Sequence, residues 1–122
     1  MSMRAIKIEP DADIRGVEIT GATIEAQNDS IHEYLGGYFD IVRLGQDACM
    51  LVDDEGLLKE LPLNPLAMMI SGYPTLVGTA LIVGTRQGDD GDEFCDAPER
   101  FIKLARDLQQ PENIWKEEQS NG

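Results

Sequence analysis

The sequence predicts an α+β fold: a mixed, mostly antiparallel sheet of about five strands, with a C-terminal amphipathic helix packed on one face. Short apolar runs recur along residues 3–84, and each has the length of a strand. Hairpin-length links that contain glycine and aspartate separate most of these runs, which favours hairpins over parallel crossovers. A helical stripe of apolar residues follows them. We therefore expect one globular domain over residues 1–110 and a polar tail over residues 111–122.

Alternation of apolar and polar residues predicts the first two strands. Residues 3–8 and residues 14–19 both alternate, and the aspartate-rich turn between them favours their pairing as a hairpin. Residues 23–28 are ambiguous between strand and helix. Ser30 and Glu33 then match a capping box, in which the serine oxygen accepts a backbone N–H and the glutamate reaches back. This pattern predicts a short helix that ends at the following pair of glycines.

A second predicted hairpin occupies the middle of the chain. Residues 38–44 are rich in aromatic and β-branched residues, and residues 48–52 are continuously apolar, so both are predicted strands. The acidic turn after them ends at Gly56, which is free to adopt a positive φ. Residues 57–61 fit either a continued strand or one helical turn.

A short helix and the central strand follow in the prediction. Asn64 and Pro65 predict a helix start, because asparagine is a good cap and proline suits the first helical position. This helix is expected to end at Ile70. Residues 76–84 form the most apolar run of the chain, which predicts the central strand. Gly78 within that run indicates a bulge or a close backbone approach.

The last predicted elements are a loop and a helix. Residues 87–96 are acidic and contain glycine, which favours a solvated loop. Asp96 and Glu99 match a second capping box, and residues 97–110 then carry apolar residues at helical spacing. The apolar stripe consists of Phe101, Leu104, Ala105 and Leu108. In the polar tail, Trp115 is the expected anchor.

The charge of the chain excludes two classes of partner. Its 122 residues include 23 acidic and 10 basic side chains, for a formal net charge of −13. A protein that binds nucleic acid directly needs a basic face, and so does one that binds an anionic membrane, so neither is expected. The same charge suits a partner protein that has a basic surface.

Two cysteines bear on the compartment of the protein. Cys49 lies in an apolar run and Cys95 lies in an acidic stretch. A disulfide between them is compatible with the sequence, but reduced thiols inside the cell fit better. No apolar run reaches the roughly 20 residues of a membrane span, and the N-terminal residues show no signal-peptide core. A cytoplasmic location is therefore expected.

The middle of the chain carries four segments in a specific order: Gly36-Gly37-Tyr38, then residues 53–59, then Leu61-Pro62-x-Asn64, then residues 78–84. Together they resemble the family called domain of unknown function 3846, and the resemblance covers most of residues 3–84. It implies a small intracellular protein that originates from a phage, a plasmid or an integrated element. It implies no catalytic residue, because the family has no established active site.

Two groups of residues are candidate sites. The first group is expected to face a basic partner protein and consists of Asp89, Asp90, Asp92, Glu93 and Asp96. The second group is expected to hold a small ligand and consists of Asp53, Asp54, Glu55, Asn64, Tyr73 and Gly78. A solvated loop, and a solvated turn followed by a helix cap, explain the same residues without a function. No catalytic residue, metal site or cofactor is predicted, because the ligand spacings of known metal motifs are missing from the sequence.

Three functions fit these features. The first is a non-enzymatic binding or inhibitor protein whose acidic surface engages a host defence or nucleic-acid-handling protein. The alternative is a homo-oligomeric module that sequesters a nucleotide-like small molecule, which requires cations that converge beside Gly78. The third is an enzyme, which requires converging carboxylates or a pair formed by His32 and a cysteine. We expect the first function and no enzyme activity.

Overall fold

One antiparallel sheet organises the computed structural model, which describes residues 2–88 and 91–108. Within these residues the chain forms six strands and three helices. In chain order they are β1 (Ser2–Ile8), β2 (Ile14–Thr20), α1 (Ile24–Leu35), β3 (Phe39–Arg43), β4 (Ala48–Asp53), α2 (Pro65–Ser71), β5 (Ala80–Gly88), β6 (Gly91–Cys95) and α3 (Glu99–Leu108). The predicted α+β class and the mostly antiparallel sheet are confirmed.

Strand β5 is the centre of this sheet, as predicted, but it covers Ala80–Gly88 instead of the predicted residues 76–84. The strand order is β2-β1-β5-β4-β3, and β6 also pairs with β5. The first residues of β5 pair with β1 on one side, from Ala80 to Ile82, and β6 takes over on that side from Gly84 onwards. Strands β2 and β3 form the two edges. Every ladder between the named strands is antiparallel.

Helices cover both faces of the sheet, because the central strands are apolar on both sides. Helix α1 buries Ile31 and Leu35 against one face. The residues of the sheet that meet it include Met3, Ile19, Cys49, Leu51, Leu81 and Val83. Helices α2 and α3 bury Ala67 and Ala105 against the opposite face, so the prediction that the C-terminal helix packs on one face is confirmed.

The start of α1 corrects one prediction. The helix begins at Ile24, and its cap is Thr23, whose hydroxyl accepts the backbone N–H of Ala26 at 3.1 Å. The predicted capping box at Ser30 and Glu33 is wrong. The hydroxyl of Ser30 instead accepts the backbone N–H of Thr20 at 3.2 Å and so ties the helix to the end of β2. The ambiguous residues 23–28 therefore form the cap and the first turns of the helix.

The predicted acidic loop at residues 87–96 is also wrong over most of its length. Strand β5 continues to Gly88, and β6 returns antiparallel beside it, so Asp92 and Glu93 lie on a strand. Asp89 and Asp90 lie outside the described residues. Asp96 is no cap of α3: its carboxylate accepts the backbone N–H of Arg4 at 2.8 Å. The end predicted for this helix at residue 110 and the tail at 111–122 also lie outside the described residues.

Two glycines in the middle of the chain differ in what they require. Gly78 has a φ of +75°, and a Cβ built on it would stand 2.7 Å from Leu61 Cδ1, which confirms the predicted close approach. Gly56 does not use the positive φ that the turn pattern allows. It is buried, and a Cβ there would stand 2.6 Å from Val77 Cγ2, so this position needs glycine for space.

Candidate functional site

Asp53, the first residue of the predicted ligand group, is a structural carboxylate. Its side chain is only 2% exposed, and Oδ2 accepts a hydrogen bond from Lys59 Nζ at 2.7 Å. Oδ1 accepts the backbone N–H of Glu55 at 2.8 Å. Lys59 also donates to the carbonyl of Gly36 at 3.2 Å. Asp53 and Lys59 thus fasten the turn after β4 to the C-terminal end of α1.

This arrangement makes stability depend on pH. Burial by itself would raise the pKa of Asp53, but the hydrogen bonds from Lys59 and from the backbone N–H of Glu55, with the charge of Lys59, hold it below its ordinary value. A carboxyl whose pKa is lower in the folded state contributes stability above its unfolded pKa. That contribution is lost as the pH falls through the folded value.

We therefore expect Asp53→Asn to lower the free energy of unfolding at pH 7 by about 1–3 kcal/mol, because a charged hydrogen bond is lost. We also expect the variant to lose less stability than the wild type between about pH 5 and pH 2, where Asp53 would titrate. Urea unfolding at several pH values measures both effects. Asp54→Asn, at the exposed neighbour, is the control and should resemble the wild type. Equal pH slopes for wild type and Asp53→Asn would contradict this role.

Two residues of the predicted ligand group, Asn64 and Gly78, are buried. Asn64 has no exposed surface, and its Nδ2 donates to the carbonyls of Ile8 at 3.0 Å and Gly78 at 2.8 Å. Its Oδ1 accepts the backbone N–H of Ala67 at 3.1 Å, which confirms the predicted helix cap. Both donors of the amide are therefore used inside the protein. These contacts explain both residues as parts of the fold, and their contact with a ligand stays a prediction.

Asp54 and Tyr73 remain together in an open pocket of about 570 Å³, here called the turn pocket. It lies between the edge strand β3 and the turn that follows β4. Glu55 is exposed on the same turn but does not line the pocket. Most of the other lining residues are apolar: Ile41, Val42, Val52, Leu57, Leu58, Leu76 and Val77. Asp40, Asp53 and Thr75 also line it, so the pocket combines an apolar wall with three aspartates.

The acidic partner group borders a larger groove of about 790 Å³, here called the α1–β6 groove. It runs between the first turns of α1 and strand β6. Its apolar lining consists of Met3, Ile24, Phe39, Ile41 and Phe94. Its polar lining includes Thr23, Gln27, Asn28 and Arg86 with the three carboxylates Asp92, Glu93 and Asp96. An apolar floor thus lies beside a row of carboxylates.

The carboxylates of this groove are held by weak, exposed pairs. Arg86 Nε donates to Glu93 Oε1 at 2.8 Å, and Arg43 approaches Asp92 Oδ2 at 3.8 Å. The side chains of Asp92 and Glu93 are 61% and 45% exposed. Exposed pairs of this kind contribute at most about 1 kcal/mol, so a cation from outside can compete for them.

Helix α1 also carries an acidic stripe, on a side of the helix that does not line the groove. Glu25, Asp29 and Glu33 are exposed and follow each other at four-residue spacing, so they lie on one side of the helix about 6 Å apart. None of the three takes part in an ion pair with another residue of the part of the chain that the structure describes. Sequence reasoning missed this stripe, because it began the helix at Ser30. A helix start at Thr23 would have shown it.

Two of the basic residues meet, but away from the place that the sequestering hypothesis requires. Arg43 and Arg86 share a pocket of about 390 Å³ with Gln46, Thr85, Gln87 and Asp92. This pocket lies at the far end of β5, whereas Gly78 precedes the start of that strand. Both arginines are also the partners of carboxylates. The two arginines that share a pocket therefore do not lie beside Gly78.

The thiols and the histidine are packed into the α1 face. Both cysteines are free, so the disulfide that the sequence allowed is not formed. Burial raises the pKa of Cys49 to about 11, and it also raises the pKa of Cys95. Protonated thiols are poor nucleophiles at neutral pH. His32 packs edge-on against the ring of Tyr38, with 5.0 Å between the ring centroids.

The described residues form neither a metal-binding cluster nor a membrane-spanning helix. Over residues 2–88 and 91–108, no three His, Cys, Asp or Glu side chains lie close enough to hold a metal ion. Over the same residues, no helix is long and apolar enough to cross a membrane.

The fold and these surfaces define a class: an acidic α+β protein whose antiparallel sheet lies between helices and carries open grooves. The chain belongs to the family described as Domain of unknown function (DUF3846), whose family model matches residues 3–110. This confirms the resemblance seen in the middle of the chain and extends it into α3. No curated protein and no solved structure matches the chain.

Proposed function

We propose that this protein is a non-enzymatic binding protein that engages a basic segment of a partner protein in the α1–β6 groove. The observation that carries the proposal is the groove itself, which combines an apolar floor with exposed carboxylates on β6. A partner segment with arginine or lysine beside apolar side chains is complementary to both features. Apolar anchors bury on the floor while the cations replace Arg43 and Arg86 as partners of the carboxylates.

The charge distribution supports the same partner chemistry. The chain carries a formal net charge of −13, and the stripe on α1 adds three exposed carboxylates on the helix whose first turns border the groove. A field of one sign raises the association rate of an oppositely charged partner and is screened by salt. We therefore expect the complex to form quickly at low salt and to weaken steeply as salt is added.

The identity of the partner is a further part of the proposal. On the family resemblance, we propose that the chain originates from a phage or another mobile element and acts in the cytoplasm of its host. A host defence or nucleic-acid-handling protein carries the basic surface that the groove requires, because such a surface binds phosphates. Occupation of that surface would inhibit the host protein.

The proposal is tested with a fluorescein-labelled peptide of alternating arginine and leucine. We expect the wild type to bind it, and the double variant Asp92→Asn, Glu93→Gln to bind about tenfold more weakly or worse. The reason is that two carboxylates are lost while Arg43 and Arg86 stay and repel the peptide. Fluorescence anisotropy at low and moderate salt gives both dissociation constants.

A second Asp-Glu pair in the chain provides the matched control. Asp54→Asn with Glu55→Gln removes the same two charges from the exposed turn after β4, outside the α1–β6 groove. This control is expected to bind the peptide nearly as well as the wild type. Equal weakening in both double variants would show attraction by net charge alone, and the groove proposal would then fail.

The alternative function, a homo-oligomeric module that sequesters a nucleotide-like molecule, has one observation in its favour. Arg43 and Arg86 lie in one pocket, and two guanidinium groups are suited to a phosphate. Against it, Glu93 and Asp92 already face these arginines, and carboxylates repel a phosphate. We therefore place this function second.

A further inference from the structure

Strand β3 leaves a row of backbone groups without a partner among the described residues. The N–H of Leu44 donates to the carbonyl of Ala48, and the N–H of Asp54 donates to the carbonyl of Tyr38. Backbone N–H and C=O groups alternate in direction along an antiparallel strand. These two bonds therefore show that the N–H and C=O groups of the even-numbered residues of β3 point toward β4. The N–H and C=O groups of Phe39, Ile41 and Arg43 therefore point away from the sheet, at its edge.

Exposed apolar side chains surround this edge. Ile41 is 52% exposed, and Leu57 and Leu58 of the turn pocket are 71% and 82% exposed. Tyr73 of the same pocket is 50% exposed, and Tyr38, directly before β3, is 70% exposed. Five such side chains, at on the order of 100 Å² each, provide about 500 Å² per protomer. Two protomers then reach the roughly 1,000 Å² that a specific interface needs.

We propose that the β3 edge is a homodimer interface, in which a second copy of this chain pairs with it antiparallel about a two-fold axis at Ile41. Outward-facing residues can only oppose outward-facing residues, which leaves few registers. A two-fold axis at Asp40 would place two carboxylates directly opposite each other, which is unfavourable. The axis at Ile41 pairs all five residues of β3 and sets Arg43 opposite the partner's Phe39, where its guanidinium can stack on the ring.

The dimer has a consequence for the grooves. A two-fold axis between antiparallel edge strands is perpendicular to the sheet, so the two sheets become continuous and both copies of α1 lie on the same side. Both α1–β6 grooves then open on that side. The dimer interface goes beyond the proposed function, since it stands whether or not the grooves bind a basic partner.

Charge separates the two proposals experimentally. Each copy carries a net charge of −13, so two copies repel each other and added salt should strengthen the dimer. Binding of a basic partner in the groove should weaken with the same addition. Because salt acts in opposite directions on the dimer and on the groove complex, an experiment can show which of the two proposals fails.

Sedimentation equilibrium of the purified chain over a micromolar concentration range, at low and at high salt, tests the interface. We expect the wild type to show a monomer–dimer equilibrium that shifts toward dimer at high salt. Ile41→Lys is expected to be monomeric under all of these conditions, because it places two cations together on the axis. Leu58→Lys, at a side chain that is already mostly exposed, is a second variant and should weaken the dimer at least tenfold.

Met69→Lys is the control, since it also places a lysine at an exposed apolar side chain, on α2 and outside both pockets that Ile41 lines. It should dimerise as the wild type does, and thermal melts verify that each variant is folded. A wild type that is monomeric at every concentration and salt would overturn the proposal. So would a folded Ile41→Lys variant with the dimer affinity of the wild type.

Discussion

Replacing Asn64 with alanine is expected to lower the free energy of unfolding by about 3–5 kcal/mol, the largest effect of a single side chain that we expect. The substitution removes three hydrogen bonds in a site with no exposed surface. The carbonyls of Ile8 and Gly78 and the N–H of Ala67 would then stay buried without these partners. Each such group costs about 1–3 kcal/mol.

Asn64→Asp separates the cap of α2 from the other two hydrogen bonds. Aspartate is as good a helix cap as asparagine and still accepts the N–H of Ala67. It has no donor for the carbonyls of Ile8 and Gly78, and its charge would be buried beside their oxygens. We expect it to be at least as unstable as Asn64→Ala in urea unfolding at pH 7. An Asn64→Asp variant that unfolds within about 1 kcal/mol of the wild type would show that capping is the main role of this residue.

The second large effect is expected at Gly84, where β5 passes under the segment that enters α3. A Cβ built on Gly84 would stand 2.1 Å from the carbonyl oxygen of Asp96 and 2.9 Å from Cys95 Sγ. The first of these is a backbone atom, which moves only if β6 and the start of α3 move with it. We expect Gly84→Ala to cost about 3 kcal/mol or more, as seen where overpacking forces backbone shifts.

Gly16→Ala is the matched control for this substitution. Gly16 also lies on a strand of the sheet, but a Cβ there would meet nothing within 4 Å. We expect a change of less than about 1 kcal/mol, with stabilisation favoured because alanine restricts the unfolded chain more than glycine does. Thermal melts of both variants measure the difference. A Gly84→Ala protein that melts close to the wild type would contradict the described packing of Asp96 on β5.

The sequence predicts correctly those strands and helices that are determined by their own residues and not by contacts with distant parts of the chain. Residues 3–8, 14–19 and 48–52 are strands because their side-chain periodicity matches one or two buried faces, and α2 begins where Asn64 and Pro65 indicate. Residues 23–28 mix apolar, polar and acidic side chains, and two capping residues compete in sequence. Burial of Ile31 and Leu35, and the hydrogen bond that the N–H of Thr20 donates to the hydroxyl of Ser30, decide between them.

Strand β6 could not be predicted from its own residues. Asp92 and Glu93 have low strand propensity, and what supports them is cross-strand pairing with β5, including the contact of Glu93 with Arg86. That pairing depends on the length of β5, and the sequence gives no signal for where β5 ends. Composition alone favours a solvated loop here, and pairing with β5 overrides that preference.

The candidate site likewise has features that the sequence predicts and features that only the fold produces. The acidic character of Asp92, Glu93 and Asp96 follows from the sequence, and the structure places all three along one groove. The apolar floor of that groove could not be predicted, because β1, α1, β3 and β6 contribute to it from distant parts of the chain. Likewise, the cap role of Asn64 is local, whereas its bonds to Ile8 and Gly78 join segments that only the fold brings together.

Native mass spectrometry of the tagged chain purified from the bacterial host that we propose for it, at low and at moderate salt, tests the central claim most directly. It compares the wild type with Asp92→Asn, Glu93→Gln in the groove and with Asp54→Asn, Glu55→Gln on the turn. We expect one basic host protein to co-purify with the wild type and the turn variant at low salt, and to be lost at moderate salt and with the groove variant. A partner that stays bound to the groove variant would contradict the claim, and so would a small-molecule adduct on a defined oligomer that persists at both salts.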